Sequence, residues 1–197
     1  VITNILLCGV GGQGTVLAAK LLADAAIARG YQVKTTETIG MAQRGGSVVS
    51  HVRISDDRNE LIHSPLLPLH SADMIIGFEP AEVVRNLQYL KPDGAVVVSP
   101  KPVKPVTASL SGSSYEGPEM VRYIMAHVKR TAVVDTDKIA AECGSSRVVN
   151  IALLGAVTSM GRIDIGKAEI KEAMKKRIRE KAIAINEKAL ELGGMMK

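Results

Sequence analysis

Short apolar segments alternate with longer amphipathic segments along the chain, and this alternation predicts strands followed by helices. Strands are predicted at residues 2–8, 31–37, 47–54, 72–77, 95–99 and 130–134. Helices are predicted at residues 15–29, 79–90, 120–127, 148–160 and 167–192, and another starts after Asp135. We therefore expect an α/β fold with an open, doubly wound, largely parallel sheet in a Rossmann-like three-layer sandwich. Its first three elements form a βαβ unit.

The C-terminal segment has the clearest helical period. Apolar residues recur at steps of three and four from Ile170 to Leu192, while the other face is rich in Lys and Glu. This pattern predicts one long amphipathic C-terminal helix over residues 167–192. In the preceding apolar segment, Gly155 indicates a helix packed closely against a neighbour.

Residues 100–118 break the alternation. Four of the eight prolines fall here, together with four serines. A connection of this length without secondary structure is unusual in a compact domain unless it has a function. We interpret it as a loop or a partner-contacting arm within a single domain of residues 1–197.

The composition narrows the functional classes. Aromatic residues make up only 3% of the chain, which disfavours a base-stacking surface and hence nucleic-acid binding. The formal charge of +5 and the pI of about 9.3 favour anionic ligands or acidic partners. Two distant cysteines, the lack of a long apolar run and the lack of a signal-like N-terminus predict a cytoplasmic protein without a membrane segment.

The sharpest motif is a glycine-rich stretch between the first predicted strand and helix. Its sequence, GVGGQG, places Gly9, Gly11, Gly12, Gln13 and Gly14 in a G-x-G-x-x-G pattern. Glycines let backbone N–H groups approach a phosphate, and the positive end of the following helix favours the anion. The motif therefore predicts a phosphate-bearing ligand. The alternative is that these glycines only allow the strand and the helix to pack closely.

A second glycine-bearing motif precedes the third predicted strand. Here Arg44 is followed by Gly45, Gly46 and Ser47. A guanidinium suits phosphate or carboxylate, and the two glycines permit close backbone approach. In a doubly wound sheet this loop can lie near the first glycine loop. The alternative is a simple glycine turn with a solvated arginine.

The chain carries no complete catalytic arrangement. It has no nucleophile elbow, no P-loop lysine, no H-E-x-x-H and no cysteine cluster for an iron–sulfur centre. Its four histidines lack zinc-ligand spacing. No catalytic or metal-binding residue is predicted in this chain.

Taken together, the motifs resemble a known family. GVGGQG at residues 9–14, ETIGMAQRGGSVVSHVRIS at 37–55 and SADMIIGFEPAEVVR at 71–85 are similar to the gamma-type subunit or domain of the 2-oxoacid:ferredoxin oxidoreductases. The motif MAQRGGSVVSHVR most resembles the corresponding segment in the beta-subunit branch of indolepyruvate ferredoxin oxidoreductase. The resemblance covers essentially the whole chain.

The resemblance implies a role in an assembly. Enzymes of this family decarboxylate a 2-oxoacid, pass electrons to ferredoxin and form an acyl-CoA. Thiamine diphosphate and iron–sulfur clusters would belong to a large catalytic partner subunit, and this chain would bind coenzyme A and be inactive alone. The CoA-binding residues would be Gly9, Gly11, Gly12, Gln13, Gly14, Arg44, Gly45, Gly46 and Ser47.

Two other functions remain open at this point. The first alternative is a stand-alone NAD(P)- or flavin-dependent oxidoreductase that uses the same glycine loop. In this alternative Glu37, near the end of the second predicted strand, binds a ribose. The second alternative is a ligand-free structural subunit, in which both glycine loops only pack against a partner.

Overall fold

The computed structural model describes residues 1–40, 45–103 and 116–195, and a six-stranded sheet is its centre. The strands are β1 (Ile2–Val10), β2 (Gln32–Ile39), β3 (Ser47–Ser55), β4 (Ala72–Gly77), β5 (Leu90–Val98) and β6 (Arg130–Val133). Their order across the sheet is β2-β3-β1-β4-β5-β6. Only β3 runs against the others, since it pairs antiparallel with both β1 and β2. The predicted largely parallel α/β sheet is confirmed.

The described residues also form seven α-helices, which cover both faces of the sheet. They are α1 (Thr15–Ala28), α2 (Pro80–Asn86), α3 (Gly117–His127), α4 (Thr136–Cys143), α5 (Val149–Ser159), α6 (Lys167–Arg177) and α7 (Glu180–Gly194). Helices α1 and α4–α7 share one apolar core with the sheet, whereas α2 and α3 share the core on the opposite face. This is the expected three-layer sandwich. Among the described residues, no helix has both the length and the apolar character needed to cross a membrane.

Strand β1 shows why the sequences of the central strands are continuously apolar. Successive side chains of a strand point to opposite faces, so Ile5 and Leu7 enter one core while Leu6 and Cys8 enter the other. All four side chains are completely buried. A strand covered by helices on both faces has no solvent-facing position, which removes the alternation of polar residues.

The first βαβ unit differs from the simple prediction. Strands β1 and β2 point the same way, but β3 lies between them. The cause is the short connection between β2 and β3, which closes a hairpin with the Gly40 N–H donating to the Ser47 carbonyl oxygen. Because a hairpin forces antiparallel pairing, β3 turns back and takes the position beside β1.

Strand β5 begins earlier than predicted. Its first residue is Leu90 instead of residue 95, so Pro92, Asp93 and Gly94 belong to the strand. The register with β4 shifts between Ala72, which pairs with Leu90, and Met74, which pairs with Ala95. Residues 91–94 therefore form an irregularity within β5. The predicted helix at 79–90 is correspondingly shorter, since α2 ends at Asn86 and is followed by a short 3₁₀ turn.

The prediction of one uninterrupted helix over 167–192 also needs correction. Ile178 and Arg179 have extended backbone, with ψ near 139° and 138°, and they separate α6 from the C-terminal helix α7. The apolar spacing continues across this break, because Met174, Ile178 and Ile185 all pack on the same core. The apolar period of the sequence therefore continues through residues 178 and 179, although the helix is interrupted there.

The expected close packing at Gly155 is confirmed. A Cβ atom on Gly155 would lie 2.1 Å from the Leu190 carbonyl oxygen, and one on Gly193 would lie 1.9 Å from the Ala152 carbonyl oxygen. Real side chains do not tolerate such distances. The two glycines thus let the backbones of α5 and α7 touch.

Candidate functional site

A cleft opens at the edge of the sheet where the parallel strands end. Helix α1 follows β1 on one face of the sheet, whereas α2 follows β4 on the other face. The chain therefore leaves these two adjacent strands in opposite directions. In open α/β sheets, ligands bind at such a switch point, outside the carboxyl ends of the strands.

The first glycine loop joins β1 to α1, as predicted. Gly12 and Gly14 have φ angles of +99° and +85°, which L side chains rarely adopt. Helix α1 begins directly after Gly14, and no side chain caps its first N–H groups. A Cβ on Gly12 would meet no atom within 4 Å, so the space beside this residue is open. The loop has the form expected for an anion-binding turn.

Gly9 has a different role within the motif. A Cβ at this position would lie 2.7 Å from the Gln13 side-chain oxygen and 2.8 Å from Cβ of Phe78. Gly9 therefore allows close packing beneath the loop. This contact agrees with the alternative stated for the motif, in which a glycine allows the strand and the helix to pack closely.

Gln13 fixes the loop to the neighbouring strand. Its Oε1 accepts the Val10 N–H at 2.8 Å, and its Nε2 donates to the Phe78 carbonyl oxygen at 2.9 Å. The amide thus bridges the ends of β1 and β4 at the switch point. Gln13 also lines the cleft, but its hydrogen bonds position the loop.

The second glycine loop lies against the first, as expected. The Gly11 N–H donates to the Gly46 carbonyl oxygen at 2.9 Å, and Gly45 has a φ of +77°. The hydroxyl of Ser47 donates to Oε2 of the buried Glu82 at 2.6 Å, so it anchors the loop to α2. Arg44 lies outside the described residues, and its predicted role stays a prediction.

A buried acidic group stands behind this second loop. Glu82 accepts hydrogen bonds from Ser47 and Arg85, and Glu79 accepts the Glu82 N–H. Burial, together with these two carboxylates, raises the pKa of the Cys8 thiol well above its ordinary value. Cys8 therefore stays protonated at neutral pH and is not an activated nucleophile.

The cleft beside the first glycine loop has a volume of about 480 Å³ and is bordered by polar groups that the sequence motifs did not include. Facing the glycine loop are Lys101, Arg147 and Asn150. Lys101 pairs with Asp137 at 2.6 Å, whereas Arg147 has no ion-pair partner among the described residues. The Ser146–Val148 turn directly before the apolar α5 is a local signal for a helix start that could have directed attention to Arg147.

Two helices begin at this cleft. No side chain caps the N-terminus of α1 at Gly14, whereas the Asn150 Oδ1 accepts the Ile151 N–H in the first turn of α5. Gly14 and Asn150, near the two helix starts, both line the cleft. The partial positive charges of the helix ends add to the two cationic side chains, which makes the cleft attractive to anions.

Glu37 does not take the position that a dinucleotide fold requires. It lies in β2, paired with Ser50 of β3, and β3 separates it from β1. Two strand spacings amount to about 10 Å, so Glu37 is not on the strand adjacent to the glycine loop. A ribose held at that loop would not meet this carboxylate in the way the NAD-binding alternative assumes.

No group of three or more His, Cys, Asp or Glu residues within 1–40, 45–103 and 116–195 is arranged to hold a metal ion. Cys143 is only partly buried, far along the chain from the buried Cys8.

Comparison with known proteins agrees with the resemblance noted in the sequence. The family described as pyruvate ferredoxin/flavodoxin oxidoreductase matches residues 4–195. The chain is 36% identical to the indolepyruvate oxidoreductase subunit IorB of Pyrococcus horikoshii, covering 96% of this chain and 93% of that subunit. It is 30% identical to the pyruvate/ketoisovalerate oxidoreductases common subunit gamma of Pyrococcus abyssi, covering 88% and 87%.

Solved structures show the same fold. The pyruvate oxidoreductase subunit PORC of Thermotoga maritima superposes with a TM-score of 0.72 at 21% identity, over 99% of this chain and 96% of that one. The 2-oxoglutarate:ferredoxin oxidoreductase of Magnetococcus marinus gives a TM-score of 0.71 at 23% identity, over 98% of this chain but 30% of that longer one. With its glycine loops, its sheet order and a family match over nearly its full length, the chain belongs to the pyruvate ferredoxin/flavodoxin oxidoreductase family and corresponds in length to small subunits of these enzymes.

Proposed function

We propose that this chain is the small subunit of an indolepyruvate-type 2-oxoacid:ferredoxin oxidoreductase and that it binds coenzyme A in the cleft beside the first glycine loop. The observation that carries this proposal is the cleft itself, where the uncapped N-terminus of α1 and two cationic side chains surround a loop of left-handed glycines. Such a site suits a ligand with several negative charges.

The shape of the cleft also fits coenzyme A. Apolar side chains of Leu17, Phe78, Val103 and Val149 line it together with the polar groups, which provides surface for an adenine ring and a pantetheine chain. The volume of about 480 Å³ is in the usual range for a small-molecule site. The position of Glu37 disfavours a nicotinamide dinucleotide at the same loop.

The contribution of the chain to the reaction is positional. Coenzyme A supplies the thiol that accepts the acyl group, and residues of this chain hold its phosphates so that the thiol reaches the catalytic partner. Holding two reactants together raises their effective concentration and lowers the entropic part of the barrier. Thiamine diphosphate and the iron–sulfur clusters belong to the large partner subunit in this proposal, and electrons leave the complex to ferredoxin in the cytoplasm.

The choice of an aryl 2-oxoacid is supported by relatives in several organisms. Indolepyruvate oxidoreductase subunits of Pyrococcus horikoshii and Archaeoglobus fulgidus are 36% and 34% identical to the chain, against 30% for the pyruvate/ketoisovalerate subunit of Pyrococcus abyssi. The enzyme of Magnetococcus marinus that shares the fold has a solved structure with 2-oxoglutarate, coenzyme A and succinyl-CoA bound.

A pair of glycine variants tests the ligand. Gly12→Ala places a methyl group in the open space beside the loop, where it blocks the approach of a phosphate to the backbone. Gly161→Ala is the matched control, because Gly161 also has a positive φ of +62° and an added Cβ would meet no atom within 4 Å, but it lines a different cavity. Each variant is expected to cost about 1 kcal/mol of stability through its left-handed backbone.

Isothermal titration with coenzyme A gives the readout. Gly12→Ala is expected to weaken binding by tenfold or more, while Gly161→Ala binds as tightly as the wild-type chain. Equal affinity in both variants would remove the glycine loop from the site. Absence of binding in the wild-type chain would favour a ligand-free structural subunit, for which the internal contacts of Gly9 and Gln13 are sufficient.

A further inference from the structure

The two edges of the sheet are built differently. Strand β6, at one edge, has only four residues and presents little free backbone. Strand β2, at the other edge, has eight residues, contains no proline and keeps a continuous register with β3. Short strands, prolines and bulges are the usual means of preventing an edge strand from pairing with another chain. Because β2 uses none of these three, it has the form of a strand that can accept a further strand.

The hairpin between β2 and β3 determines which backbone groups of β2 face outward. The Gly40 N–H donates to the Ser47 carbonyl oxygen at 2.8 Å, and these two residues continue the register of the paired strands. Hydrogen-bonding groups of successive residues point to alternate sides of a strand, so the even-numbered residues of β2 bond to β3. The odd-numbered residues therefore direct their N–H and C=O groups outward. They are Val33, Thr35, Glu37 and Ile39.

The outward residues have an apolar side chain at each end and polar side chains between them. Val33 packs on the core beneath α1, and Ile39, on the same face of the strand, is 60% exposed. Thr35 and Glu37 lie between them and are exposed as well. Since β2 is the last strand on its side of the sheet, no neighbouring strand within residues 1–40, 45–103 and 116–195 covers this edge.

The pattern of side chains limits how a second copy of the strand can pair with the first. Two antiparallel copies are related by a two-fold axis, and only outward residues can exchange hydrogen bonds, so the axis passes through a residue. An axis at Lys34 or Glu37 places like charges opposite each other, which is unfavourable. An axis at Thr35 places Val33 opposite Glu37. Each of these registers mismatches charge or polarity.

We infer that the chain forms a symmetric dimer in which two β2 strands pair antiparallel about Thr36, so that one sheet continues through both copies. In this register Val33 of each copy lies opposite the exposed Ile39 of the other, and Thr36 faces its own counterpart. Lys34 lies opposite Thr38, without a like charge. Apolar pairs and Thr–Thr pairs across strands are favourable. The four outward residues of each copy form about eight hydrogen bonds in all.

The oligomeric state of the full chain gives the first test. Analytical ultracentrifugation is expected to find a dimer at micromolar concentrations. Ile39→Lys places a charge against Val33 of the second copy, twice in each dimer, and is expected to raise the dissociation constant at least about tenfold. Met125→Lys is the matched control, because Met125 is 57% exposed on α3, which packs against β6 at the other edge. This control dimerises like the wild-type chain.

Cysteine cross-linking tests the register. Thr36 would form a non-hydrogen-bonded pair with its counterpart, whose Cα atom lies about 4.5 Å away, and a disulfide can span this distance. Oxidised Thr36→Cys is therefore expected to migrate as a linked dimer on a non-reducing gel. Thr38→Cys, on the same face of the strand, is the control, because its counterpart lies about 14 Å further along the strand. The wild-type chain, with its buried Cys8 and partly buried Cys143, shows the background of cross-linking.

The outcomes are independent of coenzyme A, so this inference and the proposed function fail separately. A wild-type chain that stays monomeric overturns the dimer and leaves the β2 edge to a strand of a different protein. A dimer that Ile39→Lys weakens no more than Met125→Lys also overturns it, as does linking of Thr38→Cys as readily as Thr36→Cys. Both Ile39 and Met125 are exposed, so the lysine variants are expected to fold, and circular dichroism confirms this beforehand.

Discussion

At the scale of single residues, the glycine motif could be recognised in the sequence, but the separate roles of its residues could not be predicted. Left-handed backbone at Gly12 and Gly14 follows directly from a strand ending in GVGGQG, so the loop could be predicted. The bridge made by Gln13 and the packing at Gly9 depend on Phe78, which comes more than 60 residues later. Arg147 and Asn150 were missed for the same reason, because only the folded sheet brings them to the loop.

Two serines of β3 offer a residue-scale test of how buried hydroxyls affect stability. Ser50 and Ser55 are both completely buried. The Ser50 hydroxyl has no hydrogen-bond partner among the described residues, whereas the Ser55 hydroxyl bonds to Asp57 and Glu60. Ser50→Ala is therefore expected to raise the free energy of unfolding by about 1 kcal/mol, because it removes an unsatisfied polar group.

Ser55→Ala is the matched comparison on the same strand. It removes a hydroxyl that accepts the Asp57 N–H and donates to the Asp57 carbonyl oxygen or to Glu60, so these groups lose a partner and stability falls by about 1 kcal/mol. Urea unfolding of both variants measures the two changes. Changes of the same sign in the two variants would show that hydrogen bonding at these serines does not control their contribution.

At the scale of elements, periodicity identified which segments are strands and helices but not every boundary. The apolar spacing in residues 167–192 continues through Ile178 and Arg179, although their extended backbone divides α6 from α7. Spacing reports which side of a segment is buried, and that side is the same before and after the break. The hairpin between β2 and β3 likewise placed β3 beside β1, an order that no local pattern specifies.

The contact between α5 and α7 gives an element-scale prediction. Gly193→Ala would bring a Cβ to 1.9 Å from the Ala152 carbonyl oxygen, which is rigid backbone, so the two helices must separate. We expect a loss of about 3 kcal/mol of stability, typical of overpacking a core. Gly194→Ala is the neighbouring control, because its nearest atom would be the flexible Lys167 side-chain nitrogen at 2.5 Å.

Thermal and urea unfolding of these two variants measure the difference. Gly194→Ala should stay within about 1 kcal/mol of the wild-type chain, since Lys167 can move and Ala favours a helix. A stable Gly193→Ala protein would mean that α7 shifts along α5 without loss of packing. That result would contradict the view that the two glycines fix the distance between these helices.

At the scale of the whole molecule, the fold alone does not identify the function, because doubly wound sheets host many chemistries. The specific signal is the combination of two glycine loops that touch through Gly11 and Gly46. In the Magnetococcus marinus enzyme the same fold occupies 30% of a longer chain. If the present protein acts in the same kind of enzyme, as proposed, it does so together with a catalytic partner subunit.

Assembly therefore provides the last prediction. Anaerobic affinity purification of the tagged chain from its native cells is expected to recover a large partner with the brown absorbance of iron–sulfur clusters. The Gly12→Ala variant should recover the same partner, because its added methyl group lies in open space and disturbs no packed contact. Coenzyme A dependence of the purified complex should then be impaired only in that variant. A colourless chain that purifies alone would contradict the subunit role, and loss of the partner in Gly12→Ala would show that the glycine loop serves assembly instead of coenzyme A.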